Sequence, residues 1–451
     1  MAESRTVAAL SSGLVPSGVA VIRVSGSRVR FALERIAGFV PEPRYAQRST
    51  LCDPNSQAPL DDALVLFFPG PNSFTGEDVA ELHCHGGRAV VDGVLAALYA
   101  VPGIEPAEPG EFTRQAFLNG KMDLTQVEAV GDLIHATTAS QRDQAMGQLA
   151  GRGRDRVLAW QDAITDMRAL IEADLDFSDE DDVPGSVVDS LPERLDELIG
   201  ELEWETESHW SERLRDGFRV ILAGAPNSGK STLLNALVER DAALVSSEAG
   251  TTRDVIDVAI DMEGLPIVLS DTAGLRDELM PVSAVEQMGI EKARLLIGDA
   301  DCVVWLLGGD DIGADSATLP LADDWIRIRS KSDLLGSKRA WADDVLLVSG
   351  VSGDGLTELR FAIASSIRKR YEFGGRPAQQ DVALDARRRE ALTLSLEELK
   401  EASRLLGRSD RSLDLVAESL RSASFHLGRI TGHVDAEGVL DRLFSRFCIG
   451  K

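Results

Sequence analysis

The chain has 451 residues, 44% of them hydrophobic. That length and content allow about two to four domains with several cores. Its 47 Lys and Arg against 74 Asp and Glu leave a net charge of −27, which argues against a general nucleic-acid binder, because phosphate contacts need clustered cations. A local basic patch stays open, and surface carboxylates that keep an acidic protein soluble explain the charge equally well. No apolar run approaches the ~18 residues of a membrane span. The first ten residues, MAESRTVAAL, include the acidic Glu3 and no long apolar core, so they do not read as a secretory signal. Cys52, Cys84, Cys302 and Cys448 show no C-x-x-C spacing. A disulfide frame or zinc ribbon is therefore not expected, and a reducing, cytoplasmic compartment is.

Residues 1–120 mix strands with one helix. VAVIRVSG (19–26), ALVLFFPG (63–70) and DVAELHCHGG (78–87) read as strands that end in turn residues, and RAVVDGVLAALYAV (88–101) as a helix closed by Pro102-Gly103. From Leu124 to Phe177 apolar residues recur at spacings of three and four, the helical period. The acidic stretch DFSDEDDVPG (176–185) reads as a solvated loop, and LPERLDELIGELEWETES (191–208) as a further helix.

Strand and helix then alternate. RVILAGAP, CVVWLLGG (302–309), WIRIRS (325–330) and VLLVSG (345–350) are nearly all apolar, as strands covered on both faces are. GLTELRFAIASSIRKRY (355–371) closes a doubly wound α/β unit. After FGGRPAQQ (373–380) the pattern is helical to the end. The expected organisation is an α+β domain over 1–120, a helical domain from 121–213 and 376–451, and an α/β domain over 214–375 inserted into it.

The inserted domain carries GAPNSGKST, Gly224–Thr232, a match to G-x-x-x-x-G-K-[ST] between an apolar strand and a helix, STLLNALVER. In such a loop the N–H groups of 227–231 face phosphate oxygens, Lys230 reaches the β- and γ-phosphates, and Ser231 holds Mg²⁺. DTAG (271–274) follows a strand, so Asp271 would orient a magnesium-bound water, and the N–H of Gly274 would meet the γ-phosphate. GTTRD (250–254) places Thr252 as the switch threonine on Mg²⁺. SKSD (330–333) corresponds to the N-K-x-D of GTPases: Lys331 and Asp333 fit, Asp333 taking guanine N1–H and its amino group, while Ser330 stands where Asn is usual. SGV (349–351) would offer backbone N–H groups to guanine O6. Four such motifs in this order favour guanine over adenine.

The hydrolytic machinery departs from the usual. Leu275 occupies the position of the water-orienting glutamine. Glu286 is the candidate replacement through a bridging water, although on pattern alone a surface helix residue is the better reading. An arginine from a partner, or a monovalent cation held by Asn227, could supply the electrostatic stabilisation.

Taken together, GAPNSGKST, GTTRD, DTAGLR, MGIE, SFTGEDVAELHCHGG (73–87) and the closing FCIGK (447–451) resemble the MnmE (TrmE) family of tRNA-modification GTPases, over SGVAVIRVSG to the last residue. The resemblance implies an N-terminal folate-binding and dimerising domain, a discontinuous helical domain and an inserted Ras-like P-loop GTPase domain. It implies a homodimer that works with an FAD-containing MnmG-like partner, in a heterotetramer, on carbon 5 of the wobble uridine of certain tRNAs. The group installed is of the aminomethyl or carboxymethylaminomethyl type, with 5-formyltetrahydrofolate or a related folate as donor.

The nucleotide site then comprises Asn227, Ser228, Gly229, Lys230, Ser231 and Thr232; Ser246, Ser247, Glu248, Ala249, Gly250, Thr251 and Thr252; Asp271, Thr272, Ala273 and Gly274; and Ser330, Lys331, Ser332, Asp333, Ser349, Gly350 and Val351. By the same resemblance Asn227, Ser246, Glu248 and Thr251 match potassium positions, Ser231 and Thr252 magnesium positions, and Glu286 the catalytic glutamate. Arg23, Glu81, Lys121 and Lys451 match folate contacts: cations for the folate carboxylates, and an acceptor for pterin N–H groups. Cys448 matches a cysteine near the modification site, with a nucleophilic role or a packed thiol both open.

Departures accompany the match. SSGLVPSGV lacks the family's Gly/Arg-rich turn, the stretch before Glu286 is longer, and Ser330 and Gly350 replace usual guanine-site residues. His83 and His85 share a strand face but have no evident third metal ligand, and His135, His209, His426 and His433 read as structural. Two other functions fit parts of the chain: a ribosome-assembly GTPase that grips RNA, and a folate-dependent one-carbon transferase with a regulatory nucleotide domain.

Overall fold

The structure is a computed structural model that describes residues 5–176, 190–224, 228–240, 257–271, 298–307, 324–334, 345–371, 382, 385–408, 412–432, 444, 447 and 450. By internal contacts the chain divides into two units, 1–131 with 424–451, and 132–423. The sequence reading draws the first boundary near 120 and gives 376–451 to the helical domain; the contacts group 424–451 with the amino-terminal residues.

The first unit is built on β1 (Thr6–Leu10), β2 (Ser17–Ser25), β3 (Gln47–Cys52), β4 (Pro59–Phe68), β5 (Val79–Gly86) and β6 (Ile104–Pro106). They form a sheet in the order β3-β4-β5-β2-β1-β6, antiparallel except for the β1–β6 pair. Period-two alternation gives each strand two faces. Ala20, Ile22 and Val24 of β2 and Ala80, Leu82 and Cys84 of β5 face one core. Two helices cover it, α1 (Val29–Ile36) and α2 (Arg88–Tyr99). Helix α1 goes beyond the single helix expected here; its buried Val29, Ala32, Leu33 and Ile36 keep helical spacing in a run too short to stand out. The second face carries Val7 and Ala9 of β1, covered by Phe112 of α3 (Glu111–Leu118). The intervening residues Arg23 and Glu81 lie on that face. Helix α4 (Leu124–His135) presents Leu124 and Val127 to Phe444 and Phe447 of the closing segment.

The second unit joins helices to a second sheet. The helices are α5 (Ala139–Leu149), α6 (Arg152–Asp176), α7 (Leu191–Glu207) and α8 (Trp210–Asp216). Thr138 caps α5 in a reciprocal capping box with Gln141, which is why a continuous helical pattern breaks there. Helix α6 buries Val157, Trp160, Ile164, Met167 and Ile171, and α7 buries Leu191, Leu195, Leu198 and Leu202, stripes at three and four spacing.

The sheet has β7 (Phe218–Gly224), β8 (Asp257–Met262), β9 (Leu265–Asp271), β10 (Cys302–Leu307), β11 (Ile326–Arg329) and β12 (Val345–Leu347) in the order β12-β11-β10-β7-β9-β8. All neighbours are parallel except β8 and β9, a hairpin the sequence reading did not single out. Helices α9 (Lys230–Arg240) and α10 (Leu356–Arg370) bury Leu233, Leu234 and Leu237, and Leu359, Ile363 and Ile367, in the core with these strands. Beyond them α11 (Ala386–Leu406) runs against α7, and α12 (Leu413–Thr431) ends the described helices. Among the described residues no helix is long and apolar enough to cross a membrane.

Where the chain enters and leaves the sheet, its two passages are tied together. The rings of Trp210, Phe218 and Tyr371 meet with centroids 4.9 to 5.8 Å apart. Asp301, 3% exposed, accepts from the Arg219 backbone N–H at 2.7 Å, from the Tyr371 hydroxyl, and pairs with Arg213 Nε at 3.2 Å. Burial and the facing Asp301 carboxylate push the Tyr371 phenol up. Asp301→Ala would leave these donors without their buried acceptor and is expected to destabilise the protein by about 3 kcal/mol, with Tyr371→Phe costing about 1 kcal/mol. Urea unfolding of both variants measures this, and an Asp301→Ala midpoint equal to that of the parent would show the tie to be dispensable.

Candidate nucleotide site

Strand β7 lies between β10 and β9, so its carboxyl end opens at the middle of the sheet, where ligands of open α/β sheets bind. The chain leaves it at Gly224, with φ +148°. A Cβ there would collide with the Leu306 carbonyl oxygen and stand 3.0 Å from Leu306 Cβ, so only glycine lets β7 turn this close to β10. Ser228 and Gly229 lead into α9, and Ser228 is 2% exposed. Lys230, at the first turn of α9 and 7% exposed, donates Nζ to the Gly224 carbonyl oxygen at 3.0 Å. A buried ammonium held over its own loop is the arrangement expected of a phosphate-binding lysine. Ser231 and Thr232 follow it, exposed on the same turn.

Two further loops meet this one. Ser330 follows β11, and its Oγ donates to the Ser228 carbonyl oxygen. Lys331 takes a left-handed conformation, φ +60°, which costs a side-chain-bearing residue about 1 kcal/mol. The lysine stem crosses Gly229: its Cε lies 3.8 Å from where a Gly229 Cβ would stand. Ser332–Leu334 form a short 3₁₀ turn, tied by the Ser332 N–H to the Val348 carbonyl oxygen at 3.2 Å. The Ser349 hydroxyl donates to Asp333 Oδ1 at 2.6 Å. Gly350 abuts α9, since a Cβ there would stand 3.0 Å from the Thr232 carbonyl oxygen.

Residues 228–232, 330–333 and 349–351 thus form one cluster at the carboxyl end of the sheet. Within it the sequence expectation for 349–351 changes in detail. The Val351 N–H donates to Ser349 Oγ at 3.2 Å, and the Ser349 N–H to the Asp354 carbonyl oxygen at 2.9 Å. Gly350 is left as the backbone donor of that trio with no intramolecular bond described. Sequence reasoning also missed the task of Ser349, which is to hold the Asp333 carboxylate. Asn227, Ser246–Thr252, Thr272–Gly274 and Glu286, together with the Asp271 side chain, lie outside the described residues, although the Asp271 backbone ends β9 beside β7.

The first unit holds the other expected constellation. Arg23 on β2 and Glu81 on β5 are register partners. Arg23 donates Nη2 and Nε to Glu81 Oε1 at 2.9 and 3.2 Å, while Glu81 Oε2 lies 3.3 Å from His83 Nε2. The guanidinium sits 5.4 Å from the Phe74 ring centroid and 5.6 Å from that of Phe112, within cation–π range. Lys121 donates Nζ to the Pro71 carbonyl oxygen at 3.0 Å, at the foot of the same 70–78 loop that carries Phe74. Phe74 and Phe112 were not expected here; the aromatic within SFTGED was the available signal.

Gly450 packs against Leu10 and Ser11, whose hydroxyl donates to its carbonyl oxygen at 2.5 Å, so the closing segment reaches the end of β1. Lys451 and Cys448 lie outside the described residues. His85 turns to Asp61, Nδ1 to Oδ1 at 2.7 Å. Burial pushes the Cys84 thiol up to about 12, so it is protonated at neutral pH and packs as a small apolar group.

This fold and loop define a P-loop nucleotide-binding α/β protein with appended domains. The family model described as the GTP-binding protein TrmE N-terminus matches residues 6–121, and that described as the MnmE helical domain matches residues 124–448. The tRNA modification GTPase MnmE of Bradyrhizobium sp. is 44% identical over 453 residues, covering 99% of each chain. That of Brucella canis is 46% identical over 452 residues, covering 99% of this chain and 98% of its own. The G domain of the T. maritima FeoB iron transporter matches 33% of this chain and 98% of its own at 24% identity, with a TM-score of 0.23, too low to carry structural inference. The chain belongs to the MnmE (TrmE) family.

Gly224→Ala would force a methyl group onto the Leu306 backbone in a conformation L-residues rarely adopt. It is expected to cost about 2 kcal/mol or more, measured as a lowered unfolding temperature together with weaker nucleotide binding. A variant as stable as the parent would mean that β7 does not need this turn.

Proposed function

We propose that this chain is a GTP hydrolase that acts in tRNA modification, as the name of its relatives says of them. The observation that carries the reading is the meeting of the phosphate loop with Lys331, Asp333 and the 349–351 turn. The reading is supported by Lys230 and the Ser349-bound Asp333 carboxylate lying at one end of one sheet, a cation suited to phosphates and an acceptor suited to a guanine edge.

The residues divide the work. Lys230 exchanges its loop carbonyl for the β- and γ-phosphates, and the N–H groups at the start of α9 take phosphate oxygens. Asp333, oriented by Ser349, accepts from guanine N1–H and the amino group, and Lys331 lays its stem along the base. Ser231, exposed on the first turn of α9, fits a magnesium ligand together with Thr252; Mg²⁺ there would neutralise charge between the phosphates. Asn227, Ser246, Glu248 and Thr251 are the proposed potassium ligands; K⁺ would offset charge that develops as the γ-phosphate leaves. Glu286 orients the attacking water in place of the glutamine that Leu275 replaces.

In the first unit Arg23, Glu81, Lys121 and Lys451 are proposed to hold a formyl-folate. A half-buried Arg–Glu pair beside Phe74 suits the donor and acceptor edge of a pterin and its flat face. The proposed assembly is a cytoplasmic homodimer with an FAD-containing MnmG-like partner, modifying carbon 5 of the wobble uridine.

Lys230→Ala is expected to abolish GTP binding, whereas Glu286→Ala should slow turnover about 100-fold or more and leave GTP affinity near normal. Hydrolysis should be faster in potassium than in sodium at equal ionic strength. Equal rates in the two salts would remove the cation from the mechanism, and unchanged tRNA nucleosides in a strain lacking the protein would refute the role in modification.

A further inference from the structure

We propose that this chain selects guanine from its N1 and amino edge, with no side-chain donor at N7, because Ser330 commits its only hydroxyl proton to the phosphate loop. The inference rests on the reading of the site as a guanine-nucleotide site and deepens it.

The imidazole side of guanine presents two acceptors, N7 and O6. A residue that reads N7 must donate. The position that precedes Lys331 bridges the two loops, since it touches Ser228 on one side and leads into the Asp333 turn on the other. An asparagine there has two N–H groups and a carbonyl, enough to tether the loop and contact the base together, whereas a serine has one O–H. In this chain that proton goes to the Ser228 carbonyl oxygen.

Turning the hydroxyl toward a bound base would not help. Ser228 is 2% exposed. Stripping its carbonyl oxygen of the one donor described there costs more than a neutral bond to N7 gains. The tether therefore wins over base contact, and Ser330 offers N7 only oxygen lone pairs. O6 is left to the Gly350 N–H, because the Val351 and Ser352 N–H groups both point at Ser349 Oγ, at 3.2 and 3.1 Å. Recognition then falls on Asp333, whose Oδ1 is held by Ser349 and whose Oδ2 can accept from N1–H and the amino group.

Displacement of a fluorescent GDP from the full-length protein, in magnesium and potassium, tests this with three competitors. GTP and 7-deaza-GTP, which lacks the N7 acceptor, should bind within about twofold of one another, while inosine triphosphate, which lacks the amino group, should bind at least about tenfold more weakly. Ser330→Asn should bind GTP more tightly than 7-deaza-GTP by about threefold to tenfold, while Ser330→Ala, which removes only the tether, should weaken both equally. A parent protein that binds 7-deaza-GTP about tenfold more weakly than GTP would overturn the proposal, as would a loss in Ser330→Ala confined to GTP. Failure of GTP itself to displace the probe would instead strike the guanine-site reading beneath it.

Discussion

The structure depends on how closely the backbone of β7 can approach β10 at its last residue. Gly224 turns against the Leu306 carbonyl where any side chain would collide. At the start of α9, Lys230 holds its Nζ on the carbonyl oxygen of that same glycine. An apolar parallel sheet, covered by α9 and α10, supplies the rigid edge from which the turn is made. Sheet edge, turn and helix start thus lie together at one end of β7.

Short polar contacts join the three loops of this cluster. Ser330 ties the second loop to the first, Ser349 ties the third to the second, and Gly350 presses the third against α9. Ser228 and Ser349 are buried and Ser330 is half-buried, so on their side of each tether an unmade hydrogen bond costs more than a made one contributes, while Asp333 is exposed. The three loops are thereby joined to one another. The left-handed Lys331 sits at their junction, and such local strain is tolerated where surrounding contacts over-determine the backbone.

The amino-terminal unit follows another logic. Its antiparallel sheet gives one face to a helix-covered core and the other to Arg23, Glu81 and the two phenyl rings. An ion pair whose guanidinium lies near two phenyl rings keeps both charges partly shielded. Gly450 lies against Leu10 and Ser11 at the end of β1, between β2 and β6 in this sheet. The last residues of the sequence and its first strand thus share one small region.

Much was legible in the sequence because its signals are local. Apolar strands ending in glycine, the phosphate-loop pattern and helical periodicity from Leu124 onward are statements about neighbouring residues, and β7, β10, β11, α6 and α7 stand where those patterns put them. The short helices α1 and α3 and the strand β8 escaped, since eight- and six-residue elements carry little periodic signal.

Contacts between distant residues were not legible. That Ser349 holds a carboxylate sixteen residues away, that Ser330 donates to Ser228, that Phe74 and Phe112 lie near Arg23, and that Asp301 joins both passages of the second sheet each depend on which side chains folding makes neighbours. Sequence alone determined the residue types and the class of ligand they suit. The tertiary structure decided which donor meets which acceptor, because a hydrogen bond needs its two atoms within about 3 Å of each other, and only the packed chain fixes such distances.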